Sequence, residues 1–324
     1  MRYLFLLNPA AGRQDRTALL DRAARAALDR AGVPASGWEI RRTEYKGHAR
    51  ELAAQAARSG EPVRIFAAGG DGTFNEALTG ASPYPNAAVG CIPAGSGNDF
   101  LRTFGVKEEF LDLDAQLAGG EVPIDLMDTS LGLSAAVCAA GLDAQVALGA
   151  ADYRRNPLFH GEAAYLLSAV KQICGPLGRR MRFEADGQTL EDDVLLCAVC
   201  NTKDYGGGFR AAPNACPDDG WLELVAVRKV SRLKILSLLS RYKKGLHFAG
   251  QEVAPDLAPY LIFRRVQRLT ITLADGRGPV IATADGECAP VDKLEISVRP
   301  GAGRIVLPRG PYERFTAARA AAAR

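Results

Sequence analysis

No stretch of this 324-residue chain offers the ~20 uninterrupted apolar residues that a membrane-crossing helix needs. Even Leu131 to Ala151 is broken by Asp143 and several glycines, and Tyr3 to Leu7 is too short for a signal-peptide core. Excess charge is lacking as well. A formal net charge of +3 does not argue for nucleic acid, and no cluster interleaves aromatic with basic side chains as a single-strand platform does. Cysteine is present in an odd number, seven, scattered through apolar segments, which argues for reduced thiols in a cytoplasmic protein and against a disulfide framework. Two common phosphate motifs are missing: there is no Gly-x-x-x-x-Gly-Lys-Ser/Thr, and no Gly-x-Gly-x-x-Gly fingerprint at the glycine-rich turn described next. Internal repeats are absent, and low complexity is confined to the Ala/Arg-rich tail, Phe315 to Arg324, which reads as a terminal helix.

What the chain does have is Ile65-Phe66-Ala67-Ala68-Gly69-Gly70-Asp71-Gly72-Thr73-Phe74-Asn75-Glu76, an apolar strand running through a glycine-rich turn into a helix. Glycines at 69, 70 and 72 let the backbone approach an anion closely, and the first amides of the helix supply donors and positive dipole. Asp71 stands among those amides. Its charge would repel a phosphate unless a divalent cation or a proton donor stands between them, a requirement that nucleotide with magnesium meets. A carboxylate so placed is expected to have little structural use.

Around this loop the N-terminal half alternates strand and helix. Tyr3 to Leu7 ends at Asn8-Pro9-Ala10-Ala11-Gly12, and a helix follows. Asp15 is its expected cap, Leu19, Leu20, Ala23, Ala27 and Leu28 its buried stripe, and Gly32 its stop. Trp38 to Thr43 is the next strand, Gly47 to Ser59 the next helix, and Val63 to Ala68 the strand feeding the loop. This order predicts a doubly wound sheet, in which ligands sit beyond the carboxyl ends of strands, where Asn8, Thr43 and Gly69 to Thr73 fall. The pattern recurs as Ala87 to Ile92, then Pro93 to Phe100, a helical stretch to about Ala118 and a strand ending in Ile124-Asp125. Asp99 and Asp125 are therefore expected to join Asp71.

After Asp125 the helical rhythm fades. Ser134 to Ala140, Met181 to Ala185, Val194 to Asn201, Trp221 to Val227, Arg268 to Leu273, Val280 to Thr283 and Leu294 to Val298 read as strands. Helices interrupt them around Glu162 to Ile173 and Arg232 to Lys243, so the second half is expected to be a mostly antiparallel β-sandwich. Cys197 and Cys200 form a Cys-x-x-Cys, but residues three apart on a strand point to opposite faces, which favours core packing over a metal pair.

Gly-Gly-Asp-Gly-Thr followed by Asn75-Glu76 resembles the nucleotide loop of the diacylglycerol kinase catalytic family, soluble bacterial ATP-dependent lipid kinases related to sphingosine and ceramide kinases. NAD kinases and phosphofructokinases carry similar loops. The resemblance extends through Asn8-Pro9 with Gly12, Thr43 with His48, and Pro93-x-Gly-Ser-x-Asn-Asp-Phe, where Ser96 replaces the usual Thr and retains the hydroxyl. In the second half it takes in Asn201 with Tyr205-Gly-Gly-Gly-Phe209, Pro213-x-Ala215-x-x-Asp218-Asp219-Gly220, and Ala284-Asp285-Gly286-Glu287.

The resemblance implies a doubly wound α/β nucleotide-binding domain over 1–125, rejoined by 300–324, and a β-rich lipid-substrate domain over 126–299. It implies ATP at Asn8, Thr43, Gly69, Gly70, Asp71, Gly72, Thr73, Asn75 and Ser96, and a water-mediated magnesium (Mg2+) network at Asp71, Asp99 and Asp125. It further implies a structural magnesium on Asp219 and the backbone of Cys216 and Trp221, with Glu287 as general base and Asp71 as the second catalytic residue. Hard oxygen donors suit magnesium, and a backbone carbonyl is indifferent to the cysteine side chain at 216.

These residues also have ordinary uses. Asp99 and Asp125 can cap helices or close turns, His48 can cap, Asp218-Asp219-Gly220 can be a hairpin turn, and Asp285-Gly286 a type I′ turn bearing an exposed Glu287. The expected activity is transfer of the γ-phosphate of ATP to the free hydroxyl of a membrane lipid such as diacylglycerol, presented by the β domain across a cleft. The expected protein is cytoplasmic and meets the membrane during turnover, with a lipid substrate as partner, no nucleic acid, and a homodimer left open. The Arg232 to Lys243 helix sets Ile235, Leu238, Leu239 and Tyr242 on one face amid Arg232, Lys234, Arg241, Lys243 and Lys244, as either a packed amphipathic helix or one lying on anionic lipid. Rival readings are an NAD kinase-like enzyme acting on a soluble hydroxyl and a catalytically silent lipid- or nucleotide-binding protein. A silent protein has no need of Asp71, Asp99, Asp125, Asp219 and Glu287 together.

Overall fold

A computed structural model describes residues 1–12, 14–95, 97–154 and 162–322, and the chain divides into two units, Met1–Ile124 with Gly301–Arg324, and Asp125–Pro300.

In the first unit β1 (Arg2–Leu7), α1 (Thr17–Arg30), β2 (Trp38–Arg42), α2 (His48–Ala57), β3 (Val63–Gly69), α3 (Asp71–Ala81) and β4 (Ala87–Pro93) alternate, followed by α4 (Lys107–Leu111) and α5 (Leu113–Leu117). The strands lie parallel in the order β2-β1-β3-β4. Their continuous apolar runs suit strands covered on both faces, and Phe5, Leu6, Ile65, Phe66, Ala67 and Val89 are fully buried. Leu7 pairs with Arg42 on one side and Ala68 on the other, and Gly69 pairs with Pro93, so the loops that begin at Asn8, Thr43, Gly70 and Ala94 leave the same edge of the sheet. The expected stripe of α1 is corrected in phase: Thr17, Ala24, Ala27 and Leu28 are buried, whereas Leu19 and Ala23 are exposed. Successive residues turn by about 100°, so a face centred on Ala24 excludes both. Asp15 accepts the Thr17 amide at the start of this helix, at 2.8 Å.

β5 (Gly120–Thr129) carries the chain into the second unit. There follow β6 (Gly132–Ser134), β7 (Val137–Gly141), α6 (Leu142–Arg154), α7 (Glu162–Cys174), β8 (Arg179–Ala185), β9 (Gln188–Cys200), β10 (Leu222–Arg228) and α8 (Arg232–Lys243). Next come β11 (Phe248–Ala249), β12 (Glu252–Val253), β13 (Leu261–Val266), β14 (Arg268–Leu273), β15 (Val280–Ala284), β16 (Glu287–Val291) and β17 (Leu294–Leu307). The chain returns to the first unit at the end of β17, where Ile305 and Val306 run parallel to Val89 and Gly90, and closes with α9 (Arg309–Ala322).

The second unit is an antiparallel sandwich. One layer runs β16-β15-β7-β9-β10-β13 and the other β9-β8-β14-β17, because the first part of the long strand β9 pairs with β8 and the remainder with β7 and β10. Cys138, Cys197, Val199 and Leu224 of the first layer share a core with Phe183, Leu269, Ile271 and Ile296 of the second. Alternation sends Val137, Ala198, Cys200 and Val225 to the opposite face, which has its own core with Ala211, Phe248 and Leu257. Cys197 and Cys200 thus lie in different cores, as strand geometry requires. Five elements exceed the sequence expectation, the two-residue strands β11 and β12 among them. α6, rich in alanine and only weakly amphipathic, gives no 3.6-residue signal; β13 contains two exposed arginines; and β16 carries a proline.

Candidate active site

In the first unit four glycine-bearing loops leave the carboxyl edge of the sheet. The Gly69 carbonyl accepts the amides of Ala94 and Gly95 and, at 3.0 Å, the Asn98 side-chain Nδ2. A Cβ on Gly95 would lie 2.5 Å from the Gly70 Cα, and one on Gly69 only 2.3 Å from the Thr73 hydroxyl oxygen, so neither position admits a side chain. Asn8 Nδ2 donates to the Thr73 Oγ1 at 2.8 Å, tying the loop after β1 to the first turn of α3. The Thr43 amide donates to the Leu7 carbonyl, and the Gly47 amide to Glu76 Oε1 at 2.9 Å, which fastens the loop after β2 to the same helix. Among the described residues nothing outside its own helix and chain neighbours lies within 4 Å of a Cβ added at Gly72. The opening amides of α3 have no intrahelical acceptor and no side-chain cap among the described residues, so they present N–H groups and the positive end of a helix. Asn75 projects from that helix; Ser96 lies outside the described residues.

Asp71 has more structural use than its place in the sequence implies. Its Oδ2 accepts the Asn98 amide at 2.7 Å and its Oδ1 the Phe100 amide at 3.2 Å, latching the β4 loop to α3. Asn98 takes φ +60° to make this turn, a conformation asparagine tolerates better than most residues. Oδ2 of Asp71 and Oδ2 of Asp99 lie 3.0 and 3.9 Å from the point a Gly97 Cβ would occupy, so the two carboxylates flank one small space. Asp99 is buried and also accepts from Arg102 Nε at 3.1 Å. His48 opens α2 without capping it: its Nδ1 accepts the Glu44 amide of the preceding loop, and its ring stacks on Tyr45.

The second unit assembles another constellation around the three residues Ala135, Ala136 and Val137. Asp285 accepts all three of their amides, at 2.6, 3.1 and 3.0 Å. Asn201 Nδ2 donates to the carbonyls of Ala135 and Asp125, at 2.9 and 2.8 Å, and the Asn201 amide donates to Ala136. Asp125 is buried; its amide donates to Pro217 O and its Oδ2 accepts the Gly220 amide at 2.7 Å, so it braces the acidic turn. Asp285 at φ +45° and Gly286 at φ +90° form the type I′ turn between β15 and β16, and Glu287 stands exposed just past it. Asp285 therefore fixes the turn that displays Glu287. Asn98, Asn201, Glu76 and Asp285 fall inside the sequence motifs, and only tertiary hydrogen bonds reveal their positioning work.

The acidic turn itself is already neutralised. Asp219 Oδ1 accepts the Trp221 amide at 3.0 Å, and Oδ2 pairs with the Arg265 guanidinium at 2.5 Å, which also lies over the Trp221 ring. Asp218 accepts from the Cys216 thiol. A cation on Asp219 and the Cys216 and Trp221 carbonyls would have to share or displace Arg265, so this donor set does not fit a resident magnesium as it stands. Among the described residues no three His, Cys, Asp or Glu side chains converge on a point that could hold a metal ion. Asp71 and Asp99 instead fit an outer role, orienting water on an ion whose inner ligands come largely from phosphate.

The sequence matches the pattern of the diacylglycerol kinase catalytic domain over residues 2–129 and that of the YegS C-terminal NAD kinase beta sandwich-like domain over residues 136–307. It is 30% identical to a diacylglycerol kinase of Mycobacterium tuberculosis (strain ATCC 25618 / H37Rv) over 269 residues, covering 81% of this chain and 82% of the relative. It is likewise 30% identical over 272 residues to a protein of Pseudomonas aeruginosa PAO1 named "Probable lipid kinase YegS-like", covering 84% of this chain and 85% of that one. In fold it is similar to a diacylglycerol kinase from Bacillus anthracis str. Sterne, with a TM-score of 0.68 over 94% of this chain and 96% of that one, at 20% identity. No helix among the described residues is long and apolar enough to cross a membrane. With both domain patterns matched in order, the chain belongs to the diacylglycerol kinase family of lipid kinases.

Proposed function

We propose that the protein transfers the γ-phosphate of ATP to the free hydroxyl of a membrane lipid such as diacylglycerol. The observation that carries this reading is the junction of three loops around the open start of α3, with Asp71 and Asp99 flanking one space. Free amides there bind phosphate oxygens, while Asn8, Thr43 and Thr73 hold the loops in place. Phosphoryl transfer asks mainly for positioning and charge neutralisation. Magnesium bound with the nucleotide would supply the latter, with Asp71 and Asp99 holding its waters. Glu287 is the base that takes the proton of the acceptor hydroxyl, held ready by the Asp285 turn. Relatives that align over 81% and 84% of this chain are named as a diacylglycerol kinase and a probable lipid kinase, which favours a lipid acceptor over a soluble one such as NAD.

The test is phosphate transfer from labelled ATP to a panel of lipid vesicles, with NAD as the soluble control. Glu287→Gln is expected to keep nucleotide affinity and lower lipid phosphorylation by a factor on the order of 10² or more. Equal rates in parent and variant would remove Glu287 as the base. Phosphorylation of NAD without any lipid product would overturn the acceptor assignment.

A further inference from the structure

α8 is apolar on two faces. Its inward face takes three of the four residues that the sequence pattern marks, Leu239 being the exception: Ile235 is buried, and Leu238 and Tyr242 pack against core residues of the second unit. The outward face carries Leu233 at 80% exposure and Leu236 at 62%, with Leu239 at 42% on its flank. Leu233, Leu236 and Ser240 follow at spacings of three and four, so they line one ridge of the helix. Leu246, just past the helix end, is 55% exposed. Single exposed leucines are ordinary on a protein surface, but a ridge of them marks a contact.

The charge around the ridge has one sign. Arg228 to Gln251 contains seven basic residues and no acidic one. Arg228 and Arg241 pair with Asp192 and Asp256, and Arg232 donates to the carbonyls of Ile173, Cys174 and Gly175 at the end of α7. Lys243 and Lys244 are exposed at the C-terminal end of α8, where Lys243 lies over the Phe209 ring and Lys244 continues the ridge four residues after Ser240. The cavity on the inward side, lined by Leu196, Val227, Ile235, Leu238, Tyr242 and His247, measures about 60 Å³. That is smaller than the ~150 Å³ that admits a benzene ring in an engineered cavity, so lipid would be met at the ridge rather than in the cavity.

We propose that this ridge is the docking surface for an anionic bilayer: Leu233, Leu236 and Leu239 enter the acyl boundary while Lys243 and Lys244 meet the headgroups. The proposal rests on the lipid-kinase reading, which requires the protein to work at such a surface. Charge decides the occupant, because a second copy of the chain would set like lysines against one another, whereas anionic headgroups neutralise them.

The test is sedimentation of the full chain with vesicles of phosphatidylcholine alone or mixed with phosphatidylglycerol. The parent is expected to bind the mixed vesicles. Leu233→Ser with Leu236→Ser should weaken that binding about tenfold or more, and Lys243→Gln with Lys244→Gln should remove the preference for the anionic vesicles. All three proteins should melt at the same temperature and phosphorylate a monomeric short-chain diacylglycerol equally, since none of these residues belongs to the glycine-rich loops or to the Asp285–Glu287 turn. Parent-like vesicle binding by the leucine variant overturns the proposal. So does a parent dimer that becomes monomeric in that variant without loss of vesicle binding, which would assign the ridge to self-association. A parent that docks through the leucines yet phosphorylates no lipid would overturn the kinase reading while leaving the docking surface in place.

Discussion

Asp285 and Glu287 sit two residues apart and do opposite things. Asp285 accepts three backbone amides, so Asp285→Ala leaves those donors without their partner and is expected to cost on the order of 3 kcal/mol of stability together with most of the activity. Glu287 is exposed, and its replacement by Gln should leave the melting temperature nearly unchanged while removing turnover. Thermal melts and rates measured on both variants separate the two roles; a large melting shift in Glu287→Gln would contradict them. A third carboxyl is set apart by burial. Glu223 on β10 is 5% exposed, its Oε2 has no partner among the described residues, and its pKa is raised to about 7, by burial first, with Asp219 adding to the rise and Arg265 and Lys203 opposing it. The folded state thus holds this proton more tightly than the unfolded chain. The stability so contributed is complete below the ordinary glutamate range and is lost as pH rises through about 7. Relative to Glu223→Gln, the parent should lose about 3 kcal/mol between roughly pH 4 and pH 8, measured by urea unfolding at each pH. A difference independent of pH would show that Glu223 titrates normally.

Among the elements, the acidic turn between Cys216 and Trp221 is the one whose chemistry the fold alters most. Arg265, delivered by β13, takes the Asp219 oxygen that a magnesium ion would need. Guanidinium and ion therefore compete for one carboxylate. Millimolar magnesium without nucleotide should raise the melting temperature of Arg265→Ala more than that of the parent, because an ion bound only by the folded turn stabilises by mass action. Equal shifts in the two proteins would show that Arg265 does not guard the site. β13 was not legible in the sequence, since its exposed arginines interrupt the apolar alternation, and with it went any sign of this competition.

For the whole molecule, nucleotide binding should appear as stability. Free ATP with magnesium at about 100 times its dissociation constant is expected to stabilise the folded chain by about 2.7 kcal/mol, and NAD at the same concentration should not. Asp71→Asn should blunt the shift, because it removes the charge that would hold the waters of magnesium beside the nucleotide and weakens the latch to Asn98 and Phe100. Scanning calorimetry with each ligand checks this; a shift with NAD alone would point to a different nucleotide site.

The apolar runs of the N-terminal half, their alternation with helices and the glycine-rich loop determined a parallel sheet with that loop at its carboxyl edge, because strand burial and glycine chemistry are local properties of sequence. The period-two strands of the second half determined a sandwich for the same reason, and the opposite facing of Cys197 and Cys200 followed from strand geometry alone. Other properties were decided only by tertiary contacts. Asp71 became a latch because Asn98 and Phe100, more than twenty residues away in sequence, turn their amides toward it. Asp285 became an anchor because β15 pairs with β7 beside Ala135 to Val137. On α8 both faces are leucine-bearing, so helical periodicity marks an apolar stripe without saying which stripe the core will take; packing against the second unit buried Ile235 and left Leu233 and Leu236 to solvent.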